Sequence, residues 1–439
     1  MAVDTLYTVQ QRDGHIEYSD SGEGISASLA VERFDALILP RPEIMERTAR
    51  PEHVARAFMN PVGSSPLRTI ARGKKSAAII VSDATRAVPT GDVLPHIMEE
   101  LRLGGVPPEA VTCVVGIGVH RPATSEEMSA ILGEGWAGIL RIENHDPYDE
   151  TKLVSLGTTS RGTPLSVNRT VYESELRITV GKVEPHEFAG FSGGRKSVLP
   201  GISSEEAIRV NHRPQMLLDP RAAIGVYDDN PISCDMAEAA HMLGVHFSVN
   251  ILVNARGQIA DLVCGDMDKS HRWAVDMLQR EISVPFDVRK DLFVTTPGYP
   301  LDINLYQSLK CVIALAPVLR DNGVFVVYSR CTEGVGSTDM LRPFEGATGF
   351  EDVIRFLLEK YEIQMDHALL LSKIMQRGIR IVLISPNVPE DDAKKMGFLT
   401  AKTLEEGVRK GLDMVGAGSR ATFFPCPQRY LSVMNEERP

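Results

Sequence analysis

Short stretches of this chain that concentrate side chains able to move protons or hold charge each follow a β-branched run. Ser82-Asp83-Ala84-Thr85-Arg86 follows AAIIV, and Gly116-Ile117-Gly118-Val119-His120-Arg121-Pro122 follows VTCVV. LRITV leads into the long loop 181–197, with Glu184, His186, Glu187, Gly190, Ser192, Gly193, Gly194, Arg195, Lys196 and Ser197. DLFVT leads to Gly298-Tyr299-Pro300-Leu301-Asp302 and then to Tyr306, Gln307 and Lys310. A single loop histidine is most often solvated or structural. His120 and His186, both at strand ends of one sheet, are a stronger signal, because imidazole titrates near working pH. Facing each other across a cleft, they could act as acid and base on opposite faces of one carbon, which suits stereochemical inversion. The run GFSGGRKS at 190–197 nearly fits the phosphate loop G-x-x-x-x-G-K-[ST], with Arg195 where the second glycine belongs. Its glycines could bring backbone N–H groups to a phosphate, with Ser192 and Ser197 as extra donors, and the blander reading is a turn with solvated Arg195 and Lys196. Lys196 offers either a point charge or an amine able to form a covalent bond. His212, in VNHRP, reads alone as a helix-end residue and belongs to no paired zinc-ligand spacing. Tyr306 and Lys310 are i and i+4 on one helical face with Gln307 beside them.

The elements that must hold these loops alternate between strand and helix, the pattern of parallel βαβ units. Strands are expected at 77–81, 111–115, 139–142, 176–180 and 247–253. Helices are expected at 93–103, 203–209 and 234–243, with another opened by Thr124 and closed near Gly133. A second set restarts with strands at 291–295, 324–328 and 379–384. Its helical stretches are 303–319, 350–377 and 403–415. The expected fold is thus α/β: two mixed α/β (Rossmann-like) domains with the active site in the cleft between them. The first spans 1–283 and carries catalysis and cofactor, with 421–439 as a tail able to rejoin it, although its run 421–424 could return as a strand to either sheet; the smaller second domain spans 284–420. In open sheets of this kind ligands sit beyond the carboxyl ends of the strands, where these loops lie.

Composition narrows the partners. The 439 residues carry 47 Lys+Arg against 58 Asp+Glu, a net charge of −11, which disfavours nucleic acid while leaving room for a local anion pocket. No stretch reaches the roughly 18 apolar residues of a membrane helix, and residues 1–16 have no basic start or apolar run, so the expected location is the cytoplasm. The six cysteines are scattered without a C-x-x-C pair and read as buried thiols in a reducing compartment.

Taken together, SDATR, GVHRP, EPHEFAGFSGGRKSVLPG, NHRP and GYPLDINLYQSLK resemble the nickel-pincer-nucleotide-dependent lactate racemase family, whose members racemise or epimerise 2-hydroxyacids. The blocks agree in order and separation over residues 80–310. The resemblance implies a pyridinium mononucleotide with two sulfur-containing arms gripping Ni(II), held covalently by Lys196 through a thioamide, with His212 as the metal's remaining ligand. Three soft donors and one imidazole in a plane suit Ni(II). It further implies that Asp83, Thr85, Ser192, Gly193 and Gly194 settle the nucleotide. His120 and His186 exchange the hydroxyl proton while hydride passes to and from the pyridinium ring by way of a 2-keto acid. Arg86, Tyr306, Gln307 and Lys310 orient the substrate carboxylate and polarise the carbonyl. Maturation then needs the enzymes that make the cofactor. The side chain of the 2-hydroxyacid is not fixed by these blocks: lactate, malate, phenyllactate and aldonates all remain candidates. Rival readings are a nucleotide- or phosphate-binding protein built on 190–197 and a non-catalytic sugar-acid binder.

Overall fold

The computed structural model describes residues 7–12, 15–20, 26–30, 34–40, 42–133, 135–136 and 138–435. Residues 1–6 and 13–14 of the amino-terminal segment, and 436–439 of the expected tail, lie outside these. The chain divides into two compact units, Arg41–Glu281 and the pair of segments Met1–Pro40 and Ile282–Pro439.

In Arg41–Glu281 the β-branched runs become the strands of one six-stranded sheet. Across the sheet the order is Ile259–Gly265, Phe247–Val253, Leu176–Lys182, Ala77–Ser82, Val111–Gly116 and Arg141–Asn144. All neighbours are parallel except the first pair, which is antiparallel. Ala77–Ser82 and Leu176–Lys182 are therefore hydrogen-bonded neighbours whose following connections leave in opposite directions, a topological switch point. Residues Ala77, Ile79, Val81, Cys113, Val115, Ile178 and Val180 belong to the buried core on which the helix Thr90–Gly104 packs through Val93, Leu94, Ile97 and Leu101. The helix Ser125–Leu132 starts as its sequence predicts: Thr124 accepts from Glu127 N–H, and Glu127 returns the bond to Thr124 N–H at 2.9 Å.

The other unit holds a six-stranded sheet, parallel throughout, in the order Leu399–Thr400, Arg380–Ile384, Leu319–Tyr328, Lys290–Thr295, Ala421–Phe423 and Phe34–Leu37. Two placements bear on the expected domains. The first forty residues go with this unit, not with the first domain, because Phe34–Leu37 pairs with Ala421–Phe423. The tail does not rejoin the first sheet, since Ala421–Phe423 lies against Lys290–Thr295. The helical stretch 350–377 is two helices, Phe350–Lys360 and Asp366–Met375, parted where Gln364 adopts a positive φ of 79°. The stretch 303–319 breaks into Leu305–Ser308 and Lys310–Leu315 before the strand that begins at Leu319. No helix among the described residues is long and apolar enough to cross a membrane.

Candidate functional site

At the switch point, Asp83 ends the strand Ala77–Ser82 and caps a short 3₁₀ turn, Ala84–Arg86. One carboxylate oxygen accepts from Thr85 N–H at 2.9 Å and from the Thr85 hydroxyl at 2.5 Å. The other lies 2.8 Å from His120 Nδ1. Burial pushes the Asp83 carboxyl up, but the hydrogen bond and charge of His120, with Thr85 and Arg86, outweigh it and hold the group below its ordinary value. An ionised Asp83 accepts Nδ1–H, which leaves Nε2 as the basic nitrogen of a half-exposed His120. This pairing was not anticipated: the sequence reading gave Asp83 to the nucleotide.

The loop after Leu176–Lys182 brings a second group together around one ring. His186 meets Phe188 edge-on at 4.6 Å between centroids, and His212 meets the same ring edge-on at 5.0 Å. Lys196 Nζ stands 5.7 Å over it and 2.6 Å from His186 Nε2. His186 Nδ1 lies 3.4 Å from both Ala189 N–H and Glu187 Oε2. His212 caps the helix Glu205–Asn211 and its Nδ1 lies 3.0 Å from the Ile208 carbonyl, so Nδ1 carries the hydrogen and Nε2 the lone pair. Burial, reinforced by the Lys196 charge, pushes this imidazole down to about 3. It is neutral at any working pH, the form in which histidine binds metals. Among the described residues no group of three His, Cys, Asp or Glu side chains is placed to hold a metal ion. A metal at His212 would therefore need further donors from a bound group.

Two donors of the glycine-rich turn already have partners inside the protein. The Ser192 hydroxyl donates to the Lys182 carbonyl at 2.7 Å and accepts from Glu184 N–H at 3.0 Å. Gly194 N–H donates to Asn250 Oδ1 at 3.1 Å. These donors are spent inside the protein and not presented to a phosphate, which also withdraws support from the near-Walker reading. Gly193 has a φ of 121°, and a Cβ there would meet His271 at 2.7 Å. Arg195 is not solvated: it is buried, bonded to the Tyr227 hydroxyl and set 4.9 Å over that ring. The turn is thus a packed support that delivers Lys196.

Tyr306, Gln307 and Lys310 belong to the other unit. Asn304 caps their helix by accepting from Gln307 N–H at 2.9 Å. The Tyr306 hydroxyl lies 3.1 and 3.2 Å from the two oxygens of Asp366, and its ring stacks on His367 at 4.0 Å. Asp366 and His367 escaped the sequence reading because they sat inside what looked like one continuous helix.

Comparison with known proteins now decides the family. A model described as the lactate racemase N-terminal domain matches residues 22–225, and one described as the lactate racemase C-terminal domain matches 287–427. The chain belongs to the lactate racemase family. Within it, the lactate racemases of Thermoanaerobacterium thermosaccharolyticum and Lactiplantibacillus plantarum are each 31% identical to this chain over 85% of its length, covering 88% and 89% of those proteins. The structure of the T. thermosaccharolyticum lactate racemase apoprotein matches with a TM-score of 0.88 at 29% identity, over 95% of this chain and all of that one. A Thermotoga maritima protein matches at TM-score 0.65 and 17% identity, over 89% of this chain and 99% of that one, and shares the fold. This lactate racemase family member is an isomerase.

Proposed function

We propose that this protein inverts the alpha carbon of a small 2-hydroxyacid, lactate being the first candidate, with a nickel-pincer nucleotide bound through Lys196. The observation that carries the reading is the convergence of Lys196, His186 and His212 on the Phe188 ring, an amine and two imidazoles around one apolar wall. A lysine must lose its proton before it forms a covalent bond, and His186 Nε2 at 2.6 Å is in position to take it. His212, neutral and buried with its Nε2 lone pair available to a soft metal, would be the protein's ligand to nickel. When bound, the group would supply a reversible hydride acceptor, so that the substrate passes through a planar 2-keto acid.

The chain's own residues do the rest. His120, oriented by Asp83, exchanges the hydroxyl proton on one face of the substrate, and His186 does so on the other. Thr85 helps fix Asp83 and so acts on His120. Arg86 and Lys310 are the candidate cations for the substrate carboxylate, with Gln307 as a neutral donor beside Lys310 and Tyr306 on the same helical face. Gly193 and Gly194 hold the turn that presents Lys196. The reading places the protein in the cytoplasm, with the enzymes that make the nucleotide as maturation partners.

The test is a panel of enantiopure lactate, malate, phenyllactate and aldonates incubated with nickel-loaded protein made alongside those enzymes. Chiral analysis should report inversion, and deuterium at the alpha carbon should stay in the product. Washout of that label into solvent would mean simple proton abstraction by the histidines. Intact mass should show an adduct that Lys196→Ala removes. An unmodified wild-type mass together with tight ATP binding would support the phosphate-loop rival instead.

A further inference from the structure

The Tyr306 phenol has a single proton, and the structure shows where it goes. Both Asp366 oxygens lie within 3.2 Å of the hydroxyl, and Asp366 is itself buried. Asp366 is the first residue of the helix Asp366–Met375. An ionised carboxylate only accepts, so Tyr306 is the donor in this pair. The fully buried His367 ring, stacked at 4.0 Å, keeps the phenol from turning away. A phenol so committed offers its oxygen to other groups as an acceptor. It cannot at the same time donate to a substrate carboxylate, the role first expected of it. One turn further on, Lys310 carries a group that only donates. Leu309 between the two short helices keeps helical angles, φ −63° and ψ −15°, so Tyr306 and Lys310 stay on one face.

We infer that Asp366 is a positioning residue: by accepting the Tyr306 hydrogen bond it turns the phenol oxygen toward the role of an acceptor that steadies the Lys310 ammonium for the substrate carboxylate. The inference rests on the proposed reading that Lys310 binds that carboxylate. Its sign is what separates it from the alternatives. Were Tyr306 a donor to the substrate held back by Asp366, removing the charge would release the phenol proton and tighten binding. In the relay, the same change weakens binding.

The experiment uses matured holoenzyme and two probes, lactate as substrate and propionate, which has the carboxylate but no 2-hydroxyl, as competitive inhibitor. If the panel shows another acid to be inverted, that acid and its 2-deoxy counterpart replace them. Asp366→Asn and Tyr306→Phe should each raise the lactate KM and the propionate Ki by the same factor, roughly three- to tenfold, the size expected from one hydrogen bond. The turnover number should move less than about twofold. The double variant should be no worse than Tyr306→Phe alone, because Asp366 acts through the phenol. Tighter propionate binding by Asp366→Asn overturns the inference, as does a Tyr306→Phe effect confined to lactate, or additive effects in the double variant. Tyr306→Phe keeps the ring on His367, so its equal or unequal action on the two probes decides the matter even where Asp366→Asn fails to fold. In each of these outcomes wild-type inversion is intact; its absence would mean that the parent reading has failed and that this inference falls with it.

Discussion

Asp83→Asn tests the pairing that organises the first proton-transfer residue. The substitution keeps the size of the side chain at a buried position but replaces an ionised acceptor, 2.8 Å from His120 Nδ1, by a neutral amide. In the proposed reaction the ion would stabilise the imidazolium that His120 becomes on accepting the substrate proton, and it holds the tautomer that leaves Nε2 free to act as base. A hydrogen bond to a charged partner contributes about 1.5–3 kcal/mol. At about 1.36 kcal/mol per decade, that is a loss of roughly 10- to 150-fold in kcat/KM. An amide that presents its NH₂ to Nδ1 would also invert the tautomer, adding to the loss. Because enantiomers have equal free energy, kcat/KM must fall by the same factor in both directions, which provides an internal check on the chiral assay. In a His120→Ala background the second substitution should change little, since the two residues act as one unit. A kcat/KM for Asp83→Asn within twofold of wild type, or full additivity with His120→Ala, would refute the orienting role.

Other outcomes follow from the same geometry. His212→Ala should lower bound nickel, measured by elemental analysis, by tenfold or more while intact mass still shows the Lys196 adduct; full nickel retention would remove His212 from the metal site. Gly194→Ala should cost about 1–3 kcal/mol in urea unfolding, because a Cβ there runs into the Ser248 hydroxyl, and a cost below about 0.5 kcal/mol would mean that the turn is looser than its packing implies. Burial pushes His145 down to about 4 and His271 down to about 3, so both stay neutral in the folded state while the unfolded chain binds protons below about pH 6.5. Stability is then complete above that pH and declines as pH falls toward 4, each histidine adding up to about 1.4 kcal/mol per pH unit. Asp83, whose carboxyl is depressed, adds a further loss only below about pH 3.8. Urea midpoints that do not change between pH 7 and 4.5 would contradict this burial.

What could be read in the chain followed from local physics. The runs 77–81, 111–115 and 176–180 are β-branched and end in polar loops, so parallel strands with chemistry at their carboxyl ends were legible, as was the Thr124 cap. The strand Ile259–Gly265 and the helix Met267–Ile282 were not identified, since the antiparallel partner depends on a pairing and not on a pattern. The break at Gln364 carries neither Gly nor Pro, so Asp366 appeared to lie mid-helix when it begins one. In the candidate site, residue types spoke for His120, His186, Lys196 and His212. They could not tell that Gly194 N–H is claimed by Asn250 and the Ser192 hydroxyl by its own backbone, because the direction of a donor is set by neighbours remote in sequence. Asp83 was singled out, but its bond to His120 was not legible, for the same reason.

The edge strand Phe34–Leu37 has its partner at Ala421–Phe423, near the other end of the chain. During synthesis it emerges early and must wait for almost everything else to be translated, whereas Arg41–Glu281 is continuous and can close as soon as it leaves the ribosome. Birth order thus favours the segment that carries Lys196 and His212. An amino-terminal truncation past Leu37 would strip a border from the late-forming sheet and leave the early one whole.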